Sequence, residues 1–427
     1  MKKTAIFTFL FCFFTFGICG AMPFALDVAT QGSLKNETAA RIHEPRQFTK
    51  IRNQLLLVES GKFSEDIKFK VSGRFFYDPL YDATDTFSKQ VASDQKYEVE
   101  LRDTYIDYSN GSFDLRVGKQ QIVWGEAVGL FFADVVNAKD LREFVLPDFD
   151  MIRIPQWGVD AEYTKEDFHF EWLFLPVLEF DKRGVAGSEF AFPYPVPENT
   201  SYTAADPQDQ KNNFKNSETG FRVSYLTDGW DFSGFYLYTW DKSPVEFRTI
   251  DSGTYQFHPG YRRLNVFGST FAKEINDIVM KGELVYSRKG NFSIIDSADS
   301  DGVIQRDFID YLLGADYTFF GSLDTNIQFM QRLIFDFDKR IVNEKSVNNS
   351  LSLRFNRGFL DNALEAELLV ITSLMEKDLM YRPKITYTVN HNWKVKCGLD
   401  IFDGNATGIF GKFEKKSRAY IEFTRSF

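Results

Sequence analysis

Few side chains in this sequence are placed for covalent chemistry. Proton transfer near neutral pH is characteristically the work of histidine, and there are four: His43, His169, His258 and His391. They lie far apart in the chain, and His169 and His391 fall beside or within expected turns. No Gly-x-Ser-x-Gly nucleophile elbow occurs, and no Cys/His cluster has zinc-site spacing. Asp299-Ser300-Asp301-Gly302 matches part of a calcium loop. Ser297 stands at the first ligand position and Phe308 at the twelfth, so the pattern fails. The chain reads as a non-enzyme with no cofactor and no metal.

Residues able to act on a passing solute are concentrated elsewhere. Arg116 and Gln120 alternate with Leu115 and Val117, and the run closes on Trp124, Gly125 and Glu126. Gly125 to Asp150 then joins an apolar stretch, Leu130-Phe131-Phe132, to Asp134, Asn137, Asp140, Arg142 and Glu143. Charged side chains in a narrow passage select what passes. Arg74, Arg102 and Arg153 are the cations expected to face this segment across a lumen. Two roles stay open for the group: direct contact with solute, or salt bridges that pin the segment to a wall.

Such a group needs a hollow scaffold, and the pattern of the whole chain supplies one. The dominant period is two. In Ile67-Lys68-Phe69-Lys70-Val71-Ser72-Gly73-Arg74-Phe75 the odd positions are apolar or Gly and the even ones polar. Trp393-Lys394-Val395-Lys396-Cys397-Gly398-Leu399-Asp400-Ile401 alternates in the same way. Successive side chains on a strand face opposite sides, so these are two-faced strands. The 427 residues are 17% aromatic, with 46 Phe, yet mean hydropathy is only −0.28. Averaging an apolar face with a polar one gives both values. Beyond the N-terminal leader there is no run of the roughly 18 apolar residues that a spanning helix needs.

Met1 to Ala21 reads as a secretory signal peptide: Lys2 and Lys3, an apolar core from Ile6 to Ile18, and small residues at Cys19-Gly20-Ala21. Its removal takes two lysines, moving net charge from −10 to −12, and leaves Cys397 as the single cysteine. One cysteine excludes an intrachain disulfide framework. The acidic balance argues against nucleic acid as a partner.

Connection length also alternates. Short turns are expected near Ser60-Gly61, Asn110-Gly111, Glu166-Asp167, Asp228-Gly229, Asn276-Asp277, Gly321-Ser322, Gly358 to Asn362 and Asn390 to Asn392. Between them fall longer stretches near 78–96, 125–150, 178–216, 241–262, 288–307, 336–347, 376–380 and 403–416. Short periplasmic turns and longer extracellular loops are the pattern of outer-membrane barrels. The last segment puts Ala419, Ile421, Phe423 and Phe427 on one face and Tyr420, Glu422 and Thr424 on the other. Counting back from it makes Phe48 to Glu59 a descending strand, so Thr30 to Ala39 must ascend before it. The expectation is an all-β, transmembrane antiparallel barrel of about 18 strands over residues 22–427, with 16 as the alternative. The segment at about 125–150 is expected to fold inward, because its apolar stretch would be costly on an open loop. The long segment from Leu178 to Lys215, with Pro193, Pro195 and Pro197, is an extracellular loop whose aromatics serve internal packing or docking of an apolar solute.

The run Gly118-Lys119-Gln120-Gln121-Ile122-Val123-Trp124-Gly125-Glu126, followed by Asp134-Val135-Val136-Asn137-Ala138-Lys139-Asp140-Leu141-Arg142-Glu143-Phe144-Val145-Leu146-Pro147, carries a resemblance. It resembles the large proteobacterial outer-membrane family catalogued only as a domain of unknown function, porin-like and full length. The architecture is also similar to that of alginate-export barrels. The resemblance implies an outer-membrane location and a transport role. It also implies partners of the periplasmic lipid-binding type and export pumps, besides outer-membrane lipids. The expected function is passage of solutes or of hydrophobic, lipid-like molecules. The alternatives are a barrel enzyme acting on outer-membrane lipids or peptides, and a sealed structural barrel or adhesin.

Overall fold

The computed structural model describes residues 27–427 apart from Glu126, Gly129, Glu198, Asn199 and Asp209. The signal peptide assigned to residues 1–21 and the candidate Glu126 lie outside the described residues.

One antiparallel sheet of 18 strands closes on itself. In chain order the strands are β1 (Asp27–Arg41), β2 (Phe48–Lys62), β3 (Ile67–Tyr77), β4 (Tyr97–Asn110), β5 (Phe113–Gln120), β6 (Gln156–Lys165), β7 (Phe168–Leu175), β8 (Glu218–Thr227), β9 (Trp230–Trp240), β10 (Arg263–Ile275), β11 (Ile278–Ser293), β12 (Val303–Phe319), β13 (Leu323–Ile334), β14 (Val347–Phe359), β15 (Leu364–Ser373), β16 (Asp378–Thr388), β17 (Trp393–Gly404) and β18 (Arg418–Ser426). β1 closes the ring: Lys35 stands opposite Gln54 of β2 on one side and Thr424 of β18 on the other. The polar first segment is thus part of the wall, and the count of sixteen falls. A closed sheet leaves no edge of unpaired amides, which is what lets strands cross lipid.

Connections at one end are tight: 63–66, 111–112, 166–167, 228–229, 276–277, 320–322, 360–363 and 389–392. Those at the other include 78–96, 121–155, 176–217 and 241–262. Two boundaries differ from the expectation. Ser60 and Gly61 still pair with Ala29 and Val28, and the turn comes later, where the Ser64 hydroxyl accepts the Ile67 amide at 3.1 Å. The stretch 288–307 is mostly strand, because β11 and β12 keep pairing beyond a bulge between Ser287 and Gly290.

The two faces of the wall divide by chemistry. Val99, Phe170, Phe221, Phe267, Leu313 and Ile327 point outward and are exposed. Near the tight turns, Phe113, Tyr163, Phe168, Phe359, Tyr387 and Trp393 form an exposed aromatic girdle of the kind found at a membrane interface. The inner face buries Lys50, Arg74, Glu100, Arg102, Asp160, Asp400 and Arg418. It is not uniformly polar. Leu173, Leu175, Phe235, Leu237, Val266 and Val285 on β7–β11 turn inward in one apolar cluster. Leu312, Met330, Leu369, Ile371, Met380 and Phe402 on β12–β17 do so in another. Segment 121–155 packs against both.

Candidate functional site

The segment leaves the wall after Gln120 and rejoins it at Gln156, opposite which Gln120 pairs. Gly118 makes the departure possible. Its φ is +144°, and a Cβ there would come within 2.3 Å of the Thr104 carbonyl oxygen on β4. That distortion accommodates Lys119, which is buried with its Nζ 3.3 Å from Glu179. Arg116 stays on the wall, donating to Asp107 at 2.5 Å.

Where the neighbouring strand is missing, a side chain replaces it. Asn137 is fully buried; its Oδ1 accepts the Ile122 amide at 3.1 Å and its Nδ2 donates to the Ile122 carbonyl. Trp124 is also buried, its Nε1 donating to Glu171 at 2.8 Å and its ring 4.9 Å from Phe235. The segment then crosses the lumen. The Ala133 amide donates to Glu283 on β11 at 2.8 Å, and the Val128 amide to Gln328 on β13 at 3.1 Å. Leu130 and Phe132 sink into the apolar cluster of β12–β17. Phe131 does not join them: it stacks on Phe149 at 4.2 Å, with the Lys139 ammonium 4.9 Å from its ring centre.

Arg153, expected to face this segment across the lumen, does meet one of its carboxylates but from the same stretch of chain. It lies within the segment, just ahead of β6, and its Nε donates to Asp134 at 2.6 Å. Arg74 and Arg102 are wall residues. Arg74 sits 2.8 Å from Glu100 and 3.8 Å from Asp140, and Arg102 donates to the Asp150 carbonyl. Arg142 bridges Asp140 and Glu98, the latter at 2.6 Å. Burial acts to raise the Asp140 carboxyl, but Arg142, Lys182 and Arg74 outweigh it and hold the group low.

Glu143 meets three cations. Its Oε1 takes Arg52; its Oε2 takes Lys50 and lies 3.9 Å from Arg418. Burial would raise its carboxyl, yet Arg52, Lys50 and Arg418 hold it well below the usual carboxylate range. Behind this group, Lys50 also meets Glu37 at 2.8 Å, and Asp400 accepts from Arg418 at 2.8 Å and Arg382 at 2.7 Å. Arg382 also donates to the Leu146 carbonyl at 2.7 Å. Lys50, Arg52, Arg382, Arg418, Glu37 and Asp400 are absent from the sequence-based candidates. Lys50-x-Arg52, on one face of a strand, is a signal that could have found the first two; none marks the others.

The space left free is charged. Below the segment, on the tight-turn side, a vestibule of about 370 Å³ is lined by Lys35, Asp148, Glu367, Lys384, Lys396 and Glu422 among others. Two smaller voids, of about 40 and 50 Å³, lie beside Glu143. Above, the Pro-rich loop turns its aromatics inward: Phe190 and Phe192 close with Phe144, Phe402 and Phe413. Among the described residues no group of His, Cys, Asp and Glu converges as a metal site would. His258 bonds the Thr249 hydroxyl at 3.4 Å, and Asp299 accepts the amides of Asp301 and Gly302, an ordinary turn.

Solved structures share this architecture. Acinetobacter baumannii OccAB1 is 10% identical over 94% of this chain and 96% of that one, with a TM-score of 0.57. Pseudomonas aeruginosa OccK2 (OpdF), solved with glucuronate, is 10% identical over 94% and 98%, at 0.53. P. aeruginosa OpdK, solved with vanillate, is 9% identical over the same shares, at 0.52. At such identity the likeness speaks for the fold, an outer-membrane barrel. No curated protein matches the sequence. A family model described as a protein of unknown function, DUF1302, matches residues 48–330, more than half of the chain, and the chain belongs to that family.

Proposed function

We propose that this protein is an outer-membrane transport channel whose path runs between segment 121–155 and the wall formed by β1–β3 and β16–β18. One observation carries the reading. The segment's apolar residues pack on the inner apolar clusters, and the space left free beneath and beside them is lined mostly by charged and polar side chains. A wet, charged path suits hydrophilic solutes, selected by width and charge. The segment is then the constriction, and its salt bridges set both its position and the charge of the path. The test is planar-bilayer conductance of the purified chain, intact and with residues 127–145 deleted. Deletion is expected to raise conductance several-fold. Silence in both forms would sink the channel reading, and equal conductance would remove the segment from the path.

A second reading is favoured by the wall itself. β5 pairs with β4 only over Thr104 to Asn110, so the outer half of β4, from Tyr97 to Asp103, has no β5 beside it. A short ribbon, Ala138–Lys139 against Arg153–Ile154, and the helical turn Phe149–Ile152 lie against this stretch of β4, held by Arg102 to the Asp150 carbonyl and Arg142 to Glu98. A lipid-like molecule could leave sideways here, delivered from a periplasmic carrier of the type the family resemblance implies. Loss of lipid transfer, with conductance retained, after cross-linking the ribbon to β4 would favour this reading.

A further inference from the structure

We propose that the cluster around Glu143 is a carboxylate-binding site, with Glu143 as its built-in occupant, displaced when the carboxylate of a solute enters from the vestibule. The inference deepens the channel reading and rests on it for its physiological sense.

The site is made by the wall and filled by the segment. Lys50 and Arg52 come from β2 and Arg418 from β18, whereas Glu143 comes from the segment between β5 and β6. If Glu143 withdraws, the four cations Lys50, Arg52, Arg382 and Arg418 are left with Glu37 and Asp400 in salt bridges and with Asp78 farther off. Lys50 keeps Glu37 and Arg418 keeps Asp400, but Arg52, whose salt bridge is to Glu143, is left without a paired carboxylate, and a largely buried cation without its anion is destabilising. A state with the segment displaced therefore favours another anion at this point, opposite Arg52. Arg52 also keeps an unused donor: its Nε is buried without a hydrogen-bond partner.

Shape selects the class of anion. Glu143 presents two oxygens in one plane, one to Arg52 and one shared by Lys50 and Arg418. A carboxylate reproduces that division, and Arg recognises it with a fixed fork of donors. Space is arranged to match. The voids of about 40 and 50 Å³ are both lined by Glu143 and Lys35, so the side chain stands between them. Lys35 also lines the vestibule of about 370 Å³, which gives the body of a carboxylate-bearing solute somewhere to rest.

The experiment uses the full chain in planar bilayers and compares the native protein with Glu143→Ala and Glu143→Gln. Glu143→Ala should conduct more, with chloride preferred over potassium. Acetate added on the tight-turn side should return its conductance toward the native level. Inorganic phosphate at equal ionic strength should do less, and the native protein should respond little to either. Rescue by acetate supports the site. Indifference to acetate, an equal response to phosphate, or a cation preference overturns it. If Glu143→Ala does not fold, as judged by heat-modifiable migration, Glu143→Gln decides: a shift toward anion preference is expected, and an unchanged reversal potential overturns the proposal. If no form conducts, the channel reading fails separately. Line broadening of carbon-13 acetate by the detergent-solubilised Glu143→Ala protein then tests the site alone, and sharp lines overturn it.

Discussion

Phe144 is where the segment's hold on the barrel can be measured. Its backbone has φ 55°, the left-handed region, which costs a residue with a Cβ about 1–2 kcal/mol. What holds it there is aromatic packing contributed by separate parts of the chain. Its ring centre lies 5.0 Å from Phe413, 6.0 Å from Phe410, and 6.1 Å from both Phe402 and Phe192. Only 5% of the residue is exposed. Phe144→Ala removes that packing, worth about 3–5 kcal/mol, and leaves the strain in place. Even the lower figure makes local opening about a hundredfold more frequent. The readout is hydrogen exchange by mass spectrometry over residues 141–147. There the Leu141 amide donates to Lys182 at 2.8 Å and the Phe144 amide to Leu141 at 2.9 Å. Exchange should accelerate by about two orders of magnitude. Phe144→Leu keeps most of the apolar volume and should cost less than about 1.5 kcal/mol, an acceleration of about tenfold. Exchange in Phe144→Ala within about threefold of native would refute the reasoning, because the ring would then not be what keeps the segment folded.

Other perturbations probe other links. Trp124→Phe leaves the Glu171 carboxylate without its indole donor and should cost about 1–3 kcal/mol, read as a lower temperature for loss of the folded gel band. Gly118→Ala places a Cβ against the Thr104 carbonyl at an unfavourable φ, so the yield of refolded barrel in lipid vesicles should fall sharply. Leu313→Arg sets a charge on the lipid face beside exposed Leu284 and Ile327; folding into bilayers should weaken by about 2–4 kcal/mol if the site is near mid-membrane. The Glu143 carboxyl is held low, so the stability it adds is present above its ordinary value of 4.5 and is lost as pH falls through the lower folded value. The difference in heat-modifiable migration between the native protein and Glu143→Gln should therefore stay constant from neutral pH down to that ordinary value and shrink only below it.

The wall was legible in the sequence because its rule is local. A period of two, short turns alternating with loops, and parity from the last strand place all 18 strands, including the polar β1 that hydropathy alone would discard. What the sequence could not order is the interior. Whether Asp134 meets Arg153 or a wall residue depends on how segment 121–155 folds across the lumen, which no periodicity encodes. The same limit explains Phe131 and Phe132: adjacent residues with one chemistry, of which one meets the apolar wall and the other stacks on Phe149. The cations around Glu143 were hidden for a further reason. Lys50 and Arg418 are far apart in the chain and become neighbours only because the barrel closes through β1.

The apolar residues on the inner wall connect these observations. In an open water-filled pore, Leu173, Leu237, Leu312 and Ile371 would have no reason to face inward. Each belongs to a cluster that segment 121–155 completes. Wall and segment are therefore matched parts, and leaving either without the other would expose apolar surface to water at about 25 cal/mol per Å². That cost falls where the clusters of β7–β17 meet the segment. Elsewhere the segment is held by charges, at Asp140, Arg142 and Glu143, and charges can exchange one partner for another in a way that packed rings cannot. A passage that opens with the least disturbance opens along the charged contacts. On the transport reading proposed above, such an opening would keep the aromatic contacts of Phe144 and release those of Glu143.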